Sequence, residues 1–165
     1  MKISELRTVN KIKKILEETV YPPSYTPKKW KRKKVNCYAY ALDIPVNDIG
    51  KNIWIPGCIS GKNTEKVIWN YITEYVKKDL DFLGIKYREN DENLRKGEYR
   101  IAIYFRPSIH VCPLGFHLSR QDDDGIWSEK PSWDGKVHKI GEKSDTPPDL
   151  SEYDLYLENI LILSK

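Results

Sequence analysis

Cys37 sits in the segment Asn36-Cys37-Tyr38-Ala39-Tyr40-Ala41-Leu42, whose small and aromatic residues suit a short buried helix that Asn36 can cap. A cysteine at a helix start meets backbone N–H groups and the positive end of the macrodipole. Both favour the thiolate, the form that attacks carbonyl carbon. Lys33 and Lys34 lie just upstream and act in the same sense. The competing reading is a packing cysteine, since free Cys is among the most buried residue types. A base separates the two. His110 stands in a Pro-flanked loop and His138 between Lys136 and Lys139, so both are read as solvated. His117 lies in the alternating strand Phe116–Gln121 and shares a face with Ser119 and Gln121. The turn Asp122–Gly125 lays Ile126–Lys130 antiparallel to that strand, offering Ser128 or Glu129 as the group that orients the imidazole. Alternation allows only one of them on the His117 face.

Other constellations are weaker. Zinc would have to use Cys112 with His110, or gather Cys37, Cys58 and Cys112, and neither set has paired C-x-x-C spacing, so no metal is expected. The acidic turn Gln121–Asp124 lacks the spaced ligands of a calcium loop. The run Lys28, Lys29, Lys31, Arg32, Lys33, Lys34 places six cations in seven residues around Trp30. It reads either as a solvated loop or as a surface for an acidic partner or a phosphate backbone.

These groups need elements to hold them. Met1–Val20 has near-helical apolar spacing and ends at Tyr21-Pro22-Pro23, where two prolines forbid continuation. A basic loop is expected over 24–35 and a helical half over 36–84. Its clearest helix runs from Thr64 to Leu83 and is closed by Gly84. From 85 to 165 the texture is that of strands: Ile85–Arg88, Tyr99–Phe105, Phe116–Gln121, Ile126–Lys130, Val137–Ile140 and Tyr153–Leu163. Helices first and antiparallel strands later make an α+β fold, taken as one domain over 1–165.

Composition narrows the classes. The 165 residues include five Trp and eleven Tyr, enough aromatic mass for a packed core despite a charged fraction of 32%. The net charge of +4 is too mild to make nucleic acid the favoured partner. Three cysteines cannot complete a disulfide framework, which suits a reducing compartment. Charges interrupt every apolar run of the N-terminal segment, so it resembles neither a signal peptide nor a span of about 20 apolar residues. A cytoplasmic protein without a membrane partner is the expectation, and nothing here fixes its oligomeric state.

Two blocks of the chain match a family pattern. Tyr25-Thr26-Pro27-Lys28-Lys29-Trp30, Asn36-Cys37-Tyr38-Ala39-Tyr40-Ala41-Leu42, and Pro56-Gly57 with Ser60-Gly61 form the first. The run from Phe116 to Pro131 (FHLSRQDDDGIWSEKP) forms the second. Together they resemble bacterial and phage proteins that look like papain-type cysteine peptidases of the NlpC/P60 kind. The resemblance implies a papain-like fold, a thiol nucleophile at Cys37, a general base at His117 and a third polar residue on the next strand. Where that pattern has His, this chain has Glu129, whose carboxylate can accept from the imidazole Nδ1–H. An aromatic residue of the pattern is replaced by Leu118. The implied chemistry is a covalent acyl-enzyme on an amide, isopeptide or thioester bond of a protein or peptide substrate, with no cofactor. The oxyanion donor beside the Cys37 N–H is expected from Asn36 or Tyr25. The rival reading is a non-catalytic interaction protein that uses the basic aromatic surface.

Overall fold

A computed structural model describes residues 3–46, 55–61, 72–91, 93–107 and 115–165, with side chains from residue 7 onward. His110, Cys112 and the helix start expected at Thr64 lie outside the described residues. Among those described, α1 spans Ile3–Glu18, α2 Pro27–Trp30, α3 Cys37–Ala41 and α4 Ile72–Leu83. Six strands follow: β1 Lys86–Glu89, β2 Tyr99–Phe105, β3 Phe116–Gln121, β4 Ile126–Glu129, β5 His138–Lys143 and β6 Tyr156–Ser164. The class is α+β, as expected.

Each helix buries the stripe its sequence supplies. Val9, Ile12 and Leu16 of α1 turn inward, as do Ile72, Val76, Leu80 and Leu83 of α4. Gly84, at φ +76°, ends α4 where a side chain would be strained, and Ile85 N–H then donates to the Leu80 carbonyl. All of α3 is buried, because Tyr38, Ala39, Tyr40 and Ala41 leave no polar face.

The strands form one antiparallel sheet in the order β1-β6-β2-β3-β4-β5. The helices pack on one face with Ile101, Ile103, Phe116, Leu118, Leu161 and Leu163. A smaller cluster of Ala102, Tyr104, Trp127 and Leu150 belongs to the other.

Three expectations need correction. The basic loop over 24–35 contains α2, begun by Pro27 and pinned by buried Trp30, since a fixed proline φ suits a first helical turn. The strand expected from Tyr153 begins at Tyr156. Ser151–Tyr153 forms a 3₁₀ turn, and Asp154 follows with φ +59°. The strand expected over Val137–Ile140 starts one residue later and runs on to Lys143.

Candidate active site

The Asn36 side-chain oxygen accepts from Tyr38 N–H at 3.1 Å and Ala39 N–H at 3.2 Å, so the residue is the N-cap that sequence suggests. That fixes Cys37 as the first residue of α3. The Asn36 side chain can donate to an oxyanion only through its NH₂ group, since Oδ1 is an acceptor. The second turn of the site comes from α4. Buried Asp79 accepts from Tyr38 Oη at 2.9 Å and from the Gly57 and Ser60 N–H groups, each at 2.7 Å. The Pro56-Gly57 and Ser60-Gly61 motif is thus a turn strapped to the back of the cysteine helix by one carboxylate.

Register decides which residue orients the base. Ser119 pairs with Glu129 and Arg120 with Ser128. Side chains of directly paired residues share a face, so Glu129 stands with His117 while Ser128 points to the helices. Ser128 Oγ accordingly meets Tyr40 Oη at 2.6 Å, and Glu129 Oε2 lies 2.5 Å from His117 Nε2. The ring nitrogen facing the carboxylate is Nε2, not the Nδ1 expected from sequence. The Cys37 sulfur is a neighbour of the same imidazole and favours its charged form.

The electrostatics favour charge separation. Burial pulls the His117 imidazolium down, but the Cys37 sulfur and the Glu129 carboxylate outweigh it and hold its pKa at about 9. Burial also pushes the Glu129 carboxyl up, and His117 and His138 more than reverse this, keeping it below its ordinary value. Cys58 differs. Burial, with Asp79 beside it, raises its thiol to about 11, so it stays protonated and unreactive at neutral pH.

Two residues of the site escape a reading of the sequence. His138 is exposed, as expected, but it also sits directly opposite Glu129 in the β4–β5 ladder and places Nε2 2.9 Å from Oε1. Its Nδ1 lies 3.2 Å from the Lys136 carbonyl. Glu129 therefore holds one imidazole on each oxygen. The signal was present in the expected strand around His138, but strand pairing is needed to use it. Lys130, 1% exposed, donates from Nζ to the Ser132 carbonyl at 2.5 Å and the Trp133 carbonyl at 2.8 Å. Burial lowers its pKa, opposed by the charges of Asp134 and Cys37. It ties the segment after β4 to the neighbourhood of the thiol.

The remaining candidates scatter. Tyr25 packs against the core with Lys139 Nζ 5.0 Å above its ring. Lys29 leaves the basic patch for the interior edge, bonding both Asp43 oxygens at 2.9 and 2.8 Å. Lys28, Lys31, Arg32, Lys33 and Lys34 line a groove of about 620 Å³, whose other wall is Trp133–Val137. The acidic turn is used internally. Asp122 accepts from Arg120, Asp123 from Ser24, and Asp124 from the Ile126 N–H and Lys139. Among the described residues no group of three His, Cys, Asp or Glu is placed to hold a metal ion, and no helix is long and apolar enough to cross a membrane.

Comparison with family models, with curated proteins and with solved structures finds no match to the chain.

Proposed function

We propose that this protein is a papain-like cysteine hydrolase or acyltransferase of the NlpC/P60 kind, acting through a covalent acyl-enzyme. The observation that carries the reading is the series Cys37–His117–Glu129, in which a cysteine at a helix start neighbours an imidazole held at Nε2 by a half-buried carboxylate. In this reading the Cys37 thiolate attacks the carbonyl carbon of an amide, isopeptide or thioester. The carbonyl oxygen takes up the negative charge, stabilised by backbone N–H groups at the start of α3. As the tetrahedral intermediate collapses, the imidazolium returns its proton to the departing amine or thiol and a thioester to Cys37 remains. Neutral His117 then takes a proton from water or an incoming amine, which attacks the thioester and releases the thiol. Glu129 keeps the ring oriented and stabilises its cationic form without itself becoming protonated.

Selective alkylation tests this reading. Iodoacetamide at neutral to mildly acidic pH, followed by mass mapping, should modify Cys37 well before Cys58, and His117→Ala should abolish the difference. Equal slow labelling of Cys37, Cys58 and Cys112 in the unaltered protein would remove the enzymatic reading. The non-catalytic reading would then stand.

A further inference from the structure

Charge on this molecule is concentrated in one place. The groove beside the site carries six cations, five from the 28–34 segment and Lys136 from the facing wall, against the single carboxylate of Asp134. The whole chain carries only +4, so the rest of the protein has no positive excess. Among the described residues the side chains of Lys28, Lys31, Arg32 and Lys33 enter no ion pair, which leaves their charge directed at solvent.

The groove also has an apolar side. Trp133 is half-buried against the core and Val137 is buried. Trp30, 3% exposed, has its ring edge-on to Tyr40 at 4.9 Å, with the Arg120 guanidinium 5.7 Å from its centroid. A ring so enclosed offers no platform for stacking bases, and the half-buried Trp133 leaves one at most, whereas single-strand nucleic-acid sites stack successive bases on several aromatic side chains beside their cations. Cations above apolar side chains, in a space within the range of about 300–1,000 Å³ typical of ligand sites, suit a short peptide segment instead.

Both walls belong to segments that continue along the chain into the thiol site. One passes from Lys34 through Val35 and Asn36 to Cys37. The other is anchored by Lys130 through the Trp133 carbonyl and leads from Val137 into His138, the partner of Glu129. A ligand in the groove thus lies along the two segments that carry the nucleophile and the orienting pair.

We propose that this groove binds an acidic polypeptide segment, rich in Asp or Glu with interspersed apolar residues, as the acyl-bearing substrate of the Cys37 site. The substrate role rests on the thiol chemistry proposed above; the binding does not.

The test uses full-length Cys37→Ala protein, which cannot turn over. Fluorescence anisotropy would follow a labelled decapeptide alternating Glu with Leu or Ala, its Gln counterpart, and an oligothymidylate of equal charge. The acidic peptide should bind, the Gln peptide should bind at least about tenfold more weakly, and added salt should weaken the acidic peptide but not the Gln peptide. Lys31→Glu with Arg32→Glu should cost the acidic peptide about tenfold or more, whereas Lys11→Glu with Lys14→Glu on the exposed side of α1 should leave it unchanged. Tighter binding of the oligothymidylate, equal binding of the two peptides, or equal losses from both double variants would each overturn the proposal. Failure of Cys37 to react with iodoacetamide, alongside intact acidic-peptide binding, would remove the thiol chemistry and leave the groove assignment standing.

Discussion

At the scale of single residues, the carboxylate of Glu129 sets the behaviour of the site. It is 13% exposed and holds His117 on one oxygen and His138 on the other. The His117 imidazolium, stabilised by Cys37 and Glu129, releases its proton only near pH 9. A group whose folded pKa is raised stabilises the fold fully below its ordinary value of about 6.5, and that contribution is lost as pH rises through the folded value. The pair should therefore persist through neutral pH and come apart on the alkaline side. The rate of Cys37 alkylation should show a plateau at neutral pH and a further transition near pH 9. In Glu129→Gln one of the stabilising charges is gone, so that transition should move to lower pH, and in His117→Ala it should vanish. Identical profiles for the three proteins would show that the imidazole does not govern the thiol. For turnover, loss of the base should be the largest single effect, about 10²–10⁴-fold, with Glu129→Gln retaining more activity than His117→Ala.

At the scale of elements, the sequence was legible wherever a local rule decides the outcome and opaque wherever pairing does. The Asn36 cap, the α4 stripe, the Asp122–Gly125 hairpin and the strands around His117 and Glu129 follow from capping chemistry, 3.6-residue spacing and period-two alternation. The choice between Ser128 and Glu129 needed the register of β3 on β4, and the role of His138 needed that of β4 on β5. The insertion of β6 between β1 and β2 is a long-range pairing with no local signature. Asn36 offers a test at this scale, since its observed role as cap and its proposed role as oxyanion donor can be separated. Asn36→Ala removes the cap and should cost about 1 kcal/mol, a melting shift of about 2–4 °C for a chain of this size. Asn36→Ser keeps a capping oxygen but has no NH₂ group. Stability and Cys37 reactivity should both survive in Asn36→Ser if placement of α3 is what matters. Retained stability with lost turnover would instead assign the amide to the oxyanion.

At the scale of the whole molecule, the helical half and the sheet half are joined through a buried ionic cluster that no hydrophobic pattern announces. Arg120, 0% exposed on β3, donates to Asp43 at 2.8 Å, to Asp122 at 2.9 Å, to the Tyr40 carbonyl at 3.0 Å and to the Ser24 carbonyl at 3.3 Å. Its guanidinium lies 4.1 Å from the Tyr40 ring centroid, and Asp43 is met from the other side by Lys29. One side chain thus binds the end of α3, the loop before α2 and the hairpin that follows His117, so it holds the helix of Cys37 against the strand of His117. Burying such a group is costly unless every charge is matched, and removing one member leaves the others uncompensated. Arg120→Ala should therefore lose about 3–5 kcal/mol, a drop in melting temperature of about 6–20 °C. Arg120→Lys should recover little of it, because a single ammonium cannot reproduce the planar fork that serves four acceptors. The decisive comparison is Arg120→Met combined with Asp43→Asn and Asp122→Asn, which removes the three buried charges together and leaves the part-exposed Lys29 to solvent. Thermal unfolding should find this triple variant more stable than Arg120→Ala. If it is less stable, the cluster stabilises the fold through net attraction, and the penalty for unmatched charge is the smaller effect.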